Sequence, residues 1–383
     1  MFDTHTPALG TDAPTPAASP RHTVTIPGDH VMRACRELYE PAQADLVRWA
    51  FYRAFRMTWP ECGEFYNLAT DLLSRVWRGK PQADDLPRAL AAFRAVRDAT
   101  GKNARPHYAM TSMARRIAHA LDVARALSDD GAGGFVFIGA DPGFGKTTVC
   151  QAFAAENNHG RTCYVPNDRI GGVKHFVQTL ARANNVNTCT GYTDMIGRVA
   201  LCFDANRILI PDDAHKLVEG GDRKLPKLEY LLGLLDTTGC VIVLPAALDR
   251  FGAAMSESRY NDKQLWRRCK YHTIVNGWED DVAPDGELKR SAEQVRQDDV
   301  AILWRFRYPR LDPGDKLAET LDSIAVHPHG GFGKVAAVLD DAGRFARKQK
   351  LPFTSKLART VADEQLRDLE KLSKTISTPL WRR

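Results

Sequence analysis

The residues best equipped for chemistry stand together at Ala140-Asp141-Pro142-Gly143-Phe144-Gly145-Lys146-Thr147-Thr148. Gly143 and Gly145 allow backbone torsions closed to other residues, so several N–H groups can turn inward onto phosphate oxygens. Lys146 carries a cation that can reach the β and γ phosphates, and the Thr147 hydroxyl is placed to bind Mg2+. Asp141, Pro142, Phe144 and Thr148 complete the nucleotide-binding turn. An apolar run over 134–139 precedes it and a helical pattern over 149–155 follows. Strand, glycine-rich turn, Lys-Thr and helix form the context that a phosphate loop requires. The helix that starts here adds its positive N-terminal end. The residues therefore point to binding of ATP or GTP with Mg2+. One position departs from the pattern G-x-x-x-x-G-K-[ST]: Ala140 holds the place of the first glycine, and Gly139 stands one residue early.

Hydrolysis needs a second acidic strand. Arg207-Ile208-Leu209-Ile210-Pro211-Asp212-Asp213 supplies one, about 65 residues beyond the loop, a usual separation. Asp212 stands where an acid holds Mg2+ through water, and Asp213 where a base orients the attacking water. The usual base is Glu. Asp is one methylene shorter, which sets the carboxylate about 1.5 Å back, and a misplacement of that order costs roughly a hundredfold in rate. Slow hydrolysis is the expectation. A purely structural alternative makes the two acids caps of the next helix. The strand over 240–244 leads to Ala246, which cannot supply the polar contact to a γ phosphate often made from such a strand end. Arg268, or Arg267, closes a helix ahead of the last strand, where an arginine finger acting on a neighbouring subunit can sit; the plain reading is a cation at a helix C-terminus. Lys334, after Gly330-Gly331-Phe332-Gly333, stands where a residue could reach nucleotide.

The elements that must position these groups follow from periodicity. Strands are expected at 135–138, 162–165, 207–210, 240–244 and 272–275. Helices are expected between them at 146–157, 173–184, 192–203, 225–236 and 261–269. Strands alternating with helices argue an α/β fold with a parallel sheet. Residues 284–375 read as helices at 287–304, 314–324, 333–348 and 355–372. Residues 30–125 also read as helical. Within them, 58–65, a turn at 66–68 and a helix over 69–80 ending at Gly79 make a helix-turn-helix pattern. On that reading Thr70, Asp71, Ser74, Arg75 and Arg78 face a DNA groove or its phosphates. A plain helical hairpin with a solvated basic face fits the same residues. There are 15 basic residues against 9 acidic between 30 and 120, which tilts the balance toward DNA.

Composition sets the class. The chain has 383 residues, 44% hydrophobic and 26% charged, with a formal net charge of +6. These are values of a soluble globular protein, mildly basic and compatible with nucleic acid. No apolar run approaches the ~20 residues of a membrane span, and no secretory signal stands at the N-terminus. The eight cysteines form no C-x-x-C pair. They read as reduced core residues of a cytoplasmic protein without a zinc site.

Taken in order, "TSMARRIAHALDVAR", the phosphate loop, "ILIPDDAHKL", "LEYLLGLLDTTGCVIVLPAAL", "QLWRRCKYHTI" and "HPHGGFGKVAAVLDDAGRFA" resemble the AAA+ transposition ATPases, the family of the phage Mu B protein and its TnsC and TniB relatives. The resemblance covers roughly residues 55–365. Composition gives a disordered tail over 1–24, rich in Pro, Thr and Ala, and a short basic tail over 376–383; the pattern of elements gives a helix-turn-helix-like domain over 25–106, and with the resemblance it implies an AAA+ α/β ATPase core over 107–283 and a C-terminal helical lid over 284–375. The resemblance also implies an ATP-dependent protein that assembles on duplex DNA as filaments or rings, selects a transposition target and activates a transposase. ATP would sit between subunits, completed by Arg268 of a neighbour. DNA would pass basic loops holding Arg169 and Lys174, and Arg223, Lys224 and Lys227; solvated loops are the bland alternative, and the DNA role is favoured for the second loop only, which is glycine-rich over 219–224. Two other functions remain open on the residues: a nucleotide-switched signalling or defence ATPase that binds protein, and a non-hydrolysing assembly scaffold.

Overall fold

The computed structural model describes residues 24–101, 108–157, 161–167, 171–218, 225–257, 263–275, 277–282, 288–327 and 331–376. Arg169, Arg223 and Lys224 lie outside them. The chain opens with helices α1 (Gly28–Leu38), α2 (Pro41–Ala54), α3 (Trp59–Tyr66), α4 (Thr70–Trp77), α5 (Asp85–Gly101) and α6 (Ser112–Asp129). An alternating region follows: β1 (Gly134–Ala140), α7 (Lys146–Asn157), β2 (Thr162–Val165), α8 (Val173–Ala183), α9 (Tyr192–Ala200), β3 (Ile208–Pro211), α10 (His215–Val218), α11 (Pro226–Thr238), β4 (Val241–Ala247), α12 (Leu248–Glu257), α13 (Lys263–Arg268) and β5 (Cys269–Val275). A short antiparallel hairpin, β6 (Asp281–Val282) with β7 (Leu288–Arg290), leads to α14 (Ala292–Arg307), α15 (Asp315–Val326), α16 (Phe332–Lys348) and α17 (Ser355–Ile376).

The fold is α/β. Five strands form one parallel sheet in the order β2-β3-β4-β1-β5. β1 and β4 are buried along their whole length. Helices cover both faces, which is why these strands read as unbroken apolar runs rather than alternating ones. On one face, Val136 and Ile138 pack with Ile117 and Leu121 of α6 and Val149 and Phe153 of α7. On the other, Phe135, Phe137 and Leu244 belong to one apolar cluster with Phe51 of α2, Trp77 of α4 and Phe93 of α5. Helices α1–α5 thus share their core with the sheet. Arg207 is fastened into that junction: it is 1% exposed, donates to the Tyr52 hydroxyl at 3.1 Å and lies 4.4 Å from the Tyr52 ring centroid. Helices α14–α17 surround a third cluster built on Trp304, Leu321, Ile324 and Leu339.

Several boundaries differ from expectation. β4 runs to Ala247 rather than stopping at 244. Pro245 tolerates this central position because β3 pairs with β4 only through Leu209, so no donor is demanded of Pro245. The gap between the two strands admits the residues after β3, and Ala214 N–H bonds Pro245 O at 2.7 Å. The β6–β7 hairpin occupies the place where a helix was expected to start. α14 begins later, at a capping box between Ser291 and Gln294. Val24, placed by sequence in a disordered tail, is 2% exposed and its N–H bonds Met57 O. The cysteines are free, six of them buried, Cys269 partly and Cys189 exposed. No helix among the described residues is long and apolar enough to cross a membrane.

Candidate nucleotide site

β1 delivers the chain to the C-terminal edge of the sheet, where open α/β sheets bind their ligands. Ala140 is still in β1, fully buried and paired with Ala247 and Val275. It therefore needs no glycine torsion, and the departure at this position is a strand residue rather than a broken loop. The torsions that do need glycine are at Gly143 (φ 87°) and Gly145 (φ 80°). Lys146 opens α7. It is 8% exposed, and its ammonium donates to Ala140 O at 2.6 Å and Asp141 O at 2.9 Å. Burial pushes it below the ordinary lysine range, against the pull of Asp213, Asp141 and Asp212.

Asp212 follows β3 and is buried. Its Oδ2 accepts from the Thr147 hydroxyl at 2.9 Å and from the Tyr164 hydroxyl at 2.6 Å. Gln151 donates to Tyr164 in turn, at 3.2 Å. The other oxygen, Oδ1, is buried without a hydrogen-bond partner. An orphaned buried acceptor costs about 1–3 kcal/mol, so this carboxylate suits a cation or its water. No cluster of three His, Cys, Asp or Glu suited to a metal occurs among the described residues. One hydroxyl and one carboxylate are the sparse oxygen donors that Mg2+ accepts, and Thr147 and Asp212 are the residues that would hold it. Asp213 sits in left-handed backbone at φ 50° and its carboxylate pairs with Lys216 at 2.8 Å. The buried Asn167 donates to Asp213 O at 3.4 Å. Ala246 is wholly buried in β4 opposite Gly139.

The N-terminus of α16 abuts the loop. A Cβ built on Gly333 would stand 2.9 Å from Gly143 Cα, closer than real side chains approach. Two helix N-termini, of α7 and α16, thus converge on one small volume. Lys334 lies in the first turn of α16, part-buried. Beside the loop is a cavity of about 170 Å³, lined among others by Tyr108, Thr111, Thr148, Phe306, Arg307 and Phe332. Gly143, Phe144, Gly145 and Thr148 of the loop line it as the sequence led one to expect, whereas the residues from the other three stretches of chain, separate from the loop in sequence, were not foreseen. Tyr164 and Asn167 were missed for a related reason: only the strand order brings the end of β2 against that of β3. Gly333→Ala forces the helix and the loop apart. The expected result is about tenfold weaker uptake of a triphosphate, from strain of 1–3 kcal/mol, measured by titration calorimetry; unchanged affinity would separate α16 from the site.

The remaining predicted residues fall elsewhere. Arg268 ends α13, and the first residue of β5 pairs with Phe135 near the start of β1. It therefore lies at the edge of the sheet opposite the loop, where its guanidinium grips Asp236 at 2.9 and 2.8 Å. Arg267 is exposed. The helix-turn-helix pattern forms as α3, Asn67 at φ 49° and α4. Arg75, however, is engaged by Asp85 at 2.7 and 3.0 Å and by Asp71 at 2.7 Å. Arg78 is exposed and donates to Ser74 Oγ at 3.2 Å. Lys174 is exposed in the first turn of α8. Lys227 corrects its expectation. It is 6% exposed in the first turn of α11, and its ammonium donates to Lys216 O at 3.5 Å.

Comparison with protein-family models found no match to the chain, and comparison with curated proteins found none.

Proposed function

We propose that this chain is a Mg2+-dependent ATPase of the AAA+ kind, with α14–α17 as its lid, that assembles on duplex DNA and activates a transposase at a selected target. The observation that carries the nucleotide part is the pairing of Thr147 with a buried Asp212 whose second oxygen is unpartnered. The Thr147 hydroxyl, next to the buried Lys146, and the Asp212 carboxylate 2.9 Å from it are the two groups that would hold a magnesium ion. When bound, Mg2+ would neutralise charge developing on the transferred phosphate. Lys146 would exchange its two carbonyl partners for phosphate oxygens, and the N-termini of α7 and α16 would add their dipoles.

Self-association is supported by Arg268. At the far edge of the sheet it stands away from its own loop, so a role toward nucleotide would be toward that of a neighbouring copy. Such a role would require it to exchange its contacts with Asp236 and Gln264 O for phosphate oxygens. The DNA and transposase parts rest on the resemblance, the net charge and the exposed Lys174 and Arg78. Contacts of that kind go to phosphates, so binding is expected to be largely indifferent to sequence and to weaken steeply with salt. Electron microscopy of the protein with duplex DNA, with and without ATP or a slow analogue, tests the reading. Ordered assemblies are expected only with both DNA and nucleotide. Oligomers that form without DNA, together with salt-independent behaviour, would favour a switch that binds protein instead.

A further inference from the structure

Asp299 in α14 is 1% exposed and lies outside the machinery described above. Its Oδ1 accepts the Ser112 N–H at 2.7 Å, and its Oδ2 accepts the Ser112 hydroxyl and the Trp278 indole N–H, the latter at 3.0 Å. No Lys or Arg side chain pairs with it among the described residues. Burial pushes its carboxyl up from the ordinary range, against the donors from Ser112 and Trp278 and the charge of Arg115. A carboxylate hydrogen-bonded only by neutral donors, with Arg115 acting on it through its charge alone, is a poor way to fasten two elements for stability alone, since apolar packing does as well.

The placement of those donors gives the group another use. Ser112 is the first residue of α6, and its N-cap Thr111 lines the cavity beside the loop. Trp278 meets Phe144 of the loop edge to face, with ring centroids 5.8 Å apart. On α14, Leu303, Phe306 and Arg307 follow Asp299 by four, seven and eight residues. They therefore share its face, and all three line the same cavity. One carboxylate thus touches the start of α6, the tryptophan that leans on the loop, and the helix that walls the cavity.

We infer that Asp299 is a positioning residue that couples the phosphate loop to the lid through Trp278 and Phe144, so that filling the loop resets the angle at which α14 closes the cavity. The inference rests on the nucleotide reading above. A shift of Phe144 on binding moves the Trp278 ring, and Trp278 cannot move without straining its bond to Asp299. Nothing is transferred in this step; only two packed arrangements are exchanged.

The test is Asp299→Asn in the full chain, which keeps the shape but turns an amide N–H against a hydroxyl or an indole donor. Mg–ATP titrations are followed by calorimetry and by tryptophan emission, with Trp278→Phe as the reference that isolates the Trp278 signal. In the wild type, Mg–ATP is expected to shift emission, and the shift is expected to vanish in Trp278→Phe. In Asp299→Asn, affinity is expected to fall roughly tenfold, as for loss of one charge-assisted bond, with the Trp278 response lost. Wild-type affinity and response in Asp299→Asn, whatever its melting temperature, would leave Asp299 a structural staple and overturn the inference alone. No uptake by the wild type would overturn the nucleotide reading with it. Should Asp299→Asn not fold, Ser112→Ala carries the test: it keeps the carboxylate, removes one donor, and is expected to weaken affinity about threefold with a diminished response. An unchanged affinity and response there would refute the coupling.

Discussion

Lys146→Ala is expected to weaken uptake of Mg–ATP by at least a hundredfold while leaving the melting temperature within a few degrees of the parent. The lysine ammonium is held by Ala140 O at 2.6 Å and Asp141 O at 2.9 Å, and on the proposed reading it would exchange these for phosphate oxygens. A hydrogen bond to a charged group contributes about 1.5–3 kcal/mol. Two such bonds lost to a triphosphate therefore amount to ~3–6 kcal/mol, or two to four powers of ten in affinity. Stability responds differently. Burial lowers the Lys146 pKa, so the charge is disfavoured there, and removing it relieves that penalty, which offsets the cost of leaving the buried Ala140 O without its donor. A variant that still melts like the parent but takes up no nucleotide places the loss in the site. Assemblies on DNA are expected to disappear with it. A titration in which Lys146→Ala binds as tightly as the parent would remove the loop from any role in phosphate recognition.

The loop was legible because its information is local. Gly143, Gly145, Lys146 and Thr147 are consecutive or nearly so, and the bounds of α7 follow from its own periodicity, which places it over 146–157. β1 and β4 were legible as buried apolar runs, short of their true ends where Gly139 and Pro245 interrupted the run. What escaped is whatever depends on a distant partner. Arg207 reads as the start of a strand; only the packing of α2 over the sheet shows it enclosed by Tyr52 and Phe203. Arg75 and Lys227 read as surface cations, yet the first is held by Asp85 and the second is buried. Asp299 carries no signal at all in the sequence, since Ser112 stands 187 residues away. The approach of Gly333 to Gly143 is equally silent until α16 is folded back onto the loop.

Asp213→Glu is expected to raise the rate of ATP hydrolysis by roughly ten- to a hundredfold with little change in affinity. Asp213 leaves β3 in left-handed backbone, a conformation that aims its carboxylate through local geometry rather than through packing. The carboxylate is turned onto Lys216, three residues on, at 2.8 Å. That pair is about a third exposed on both sides, so it contributes only ~0.2–1 kcal/mol and cannot hold a side chain that has something better to bind. Asp213, with Asp141 and Asp212, raises the Lys146 pKa against the effect of burial, so its charge acts on the lysine of the loop. One added methylene carries the carboxylate about 1.5 Å toward an attacking water, and a base that reaches hydrogen-bond distance acts where one short of it does not. The affinity should hold because Lys146, Thr147 and Asp212 are untouched. Release of phosphate under single-turnover conditions separates the chemical step from product release. If that rate stays at the parent value while Lys216→Ala also leaves it unchanged, the limit on hydrolysis lies at the sensor position, where the buried Ala246 offers nothing to the phosphate, and polar substitutions there become the informative series.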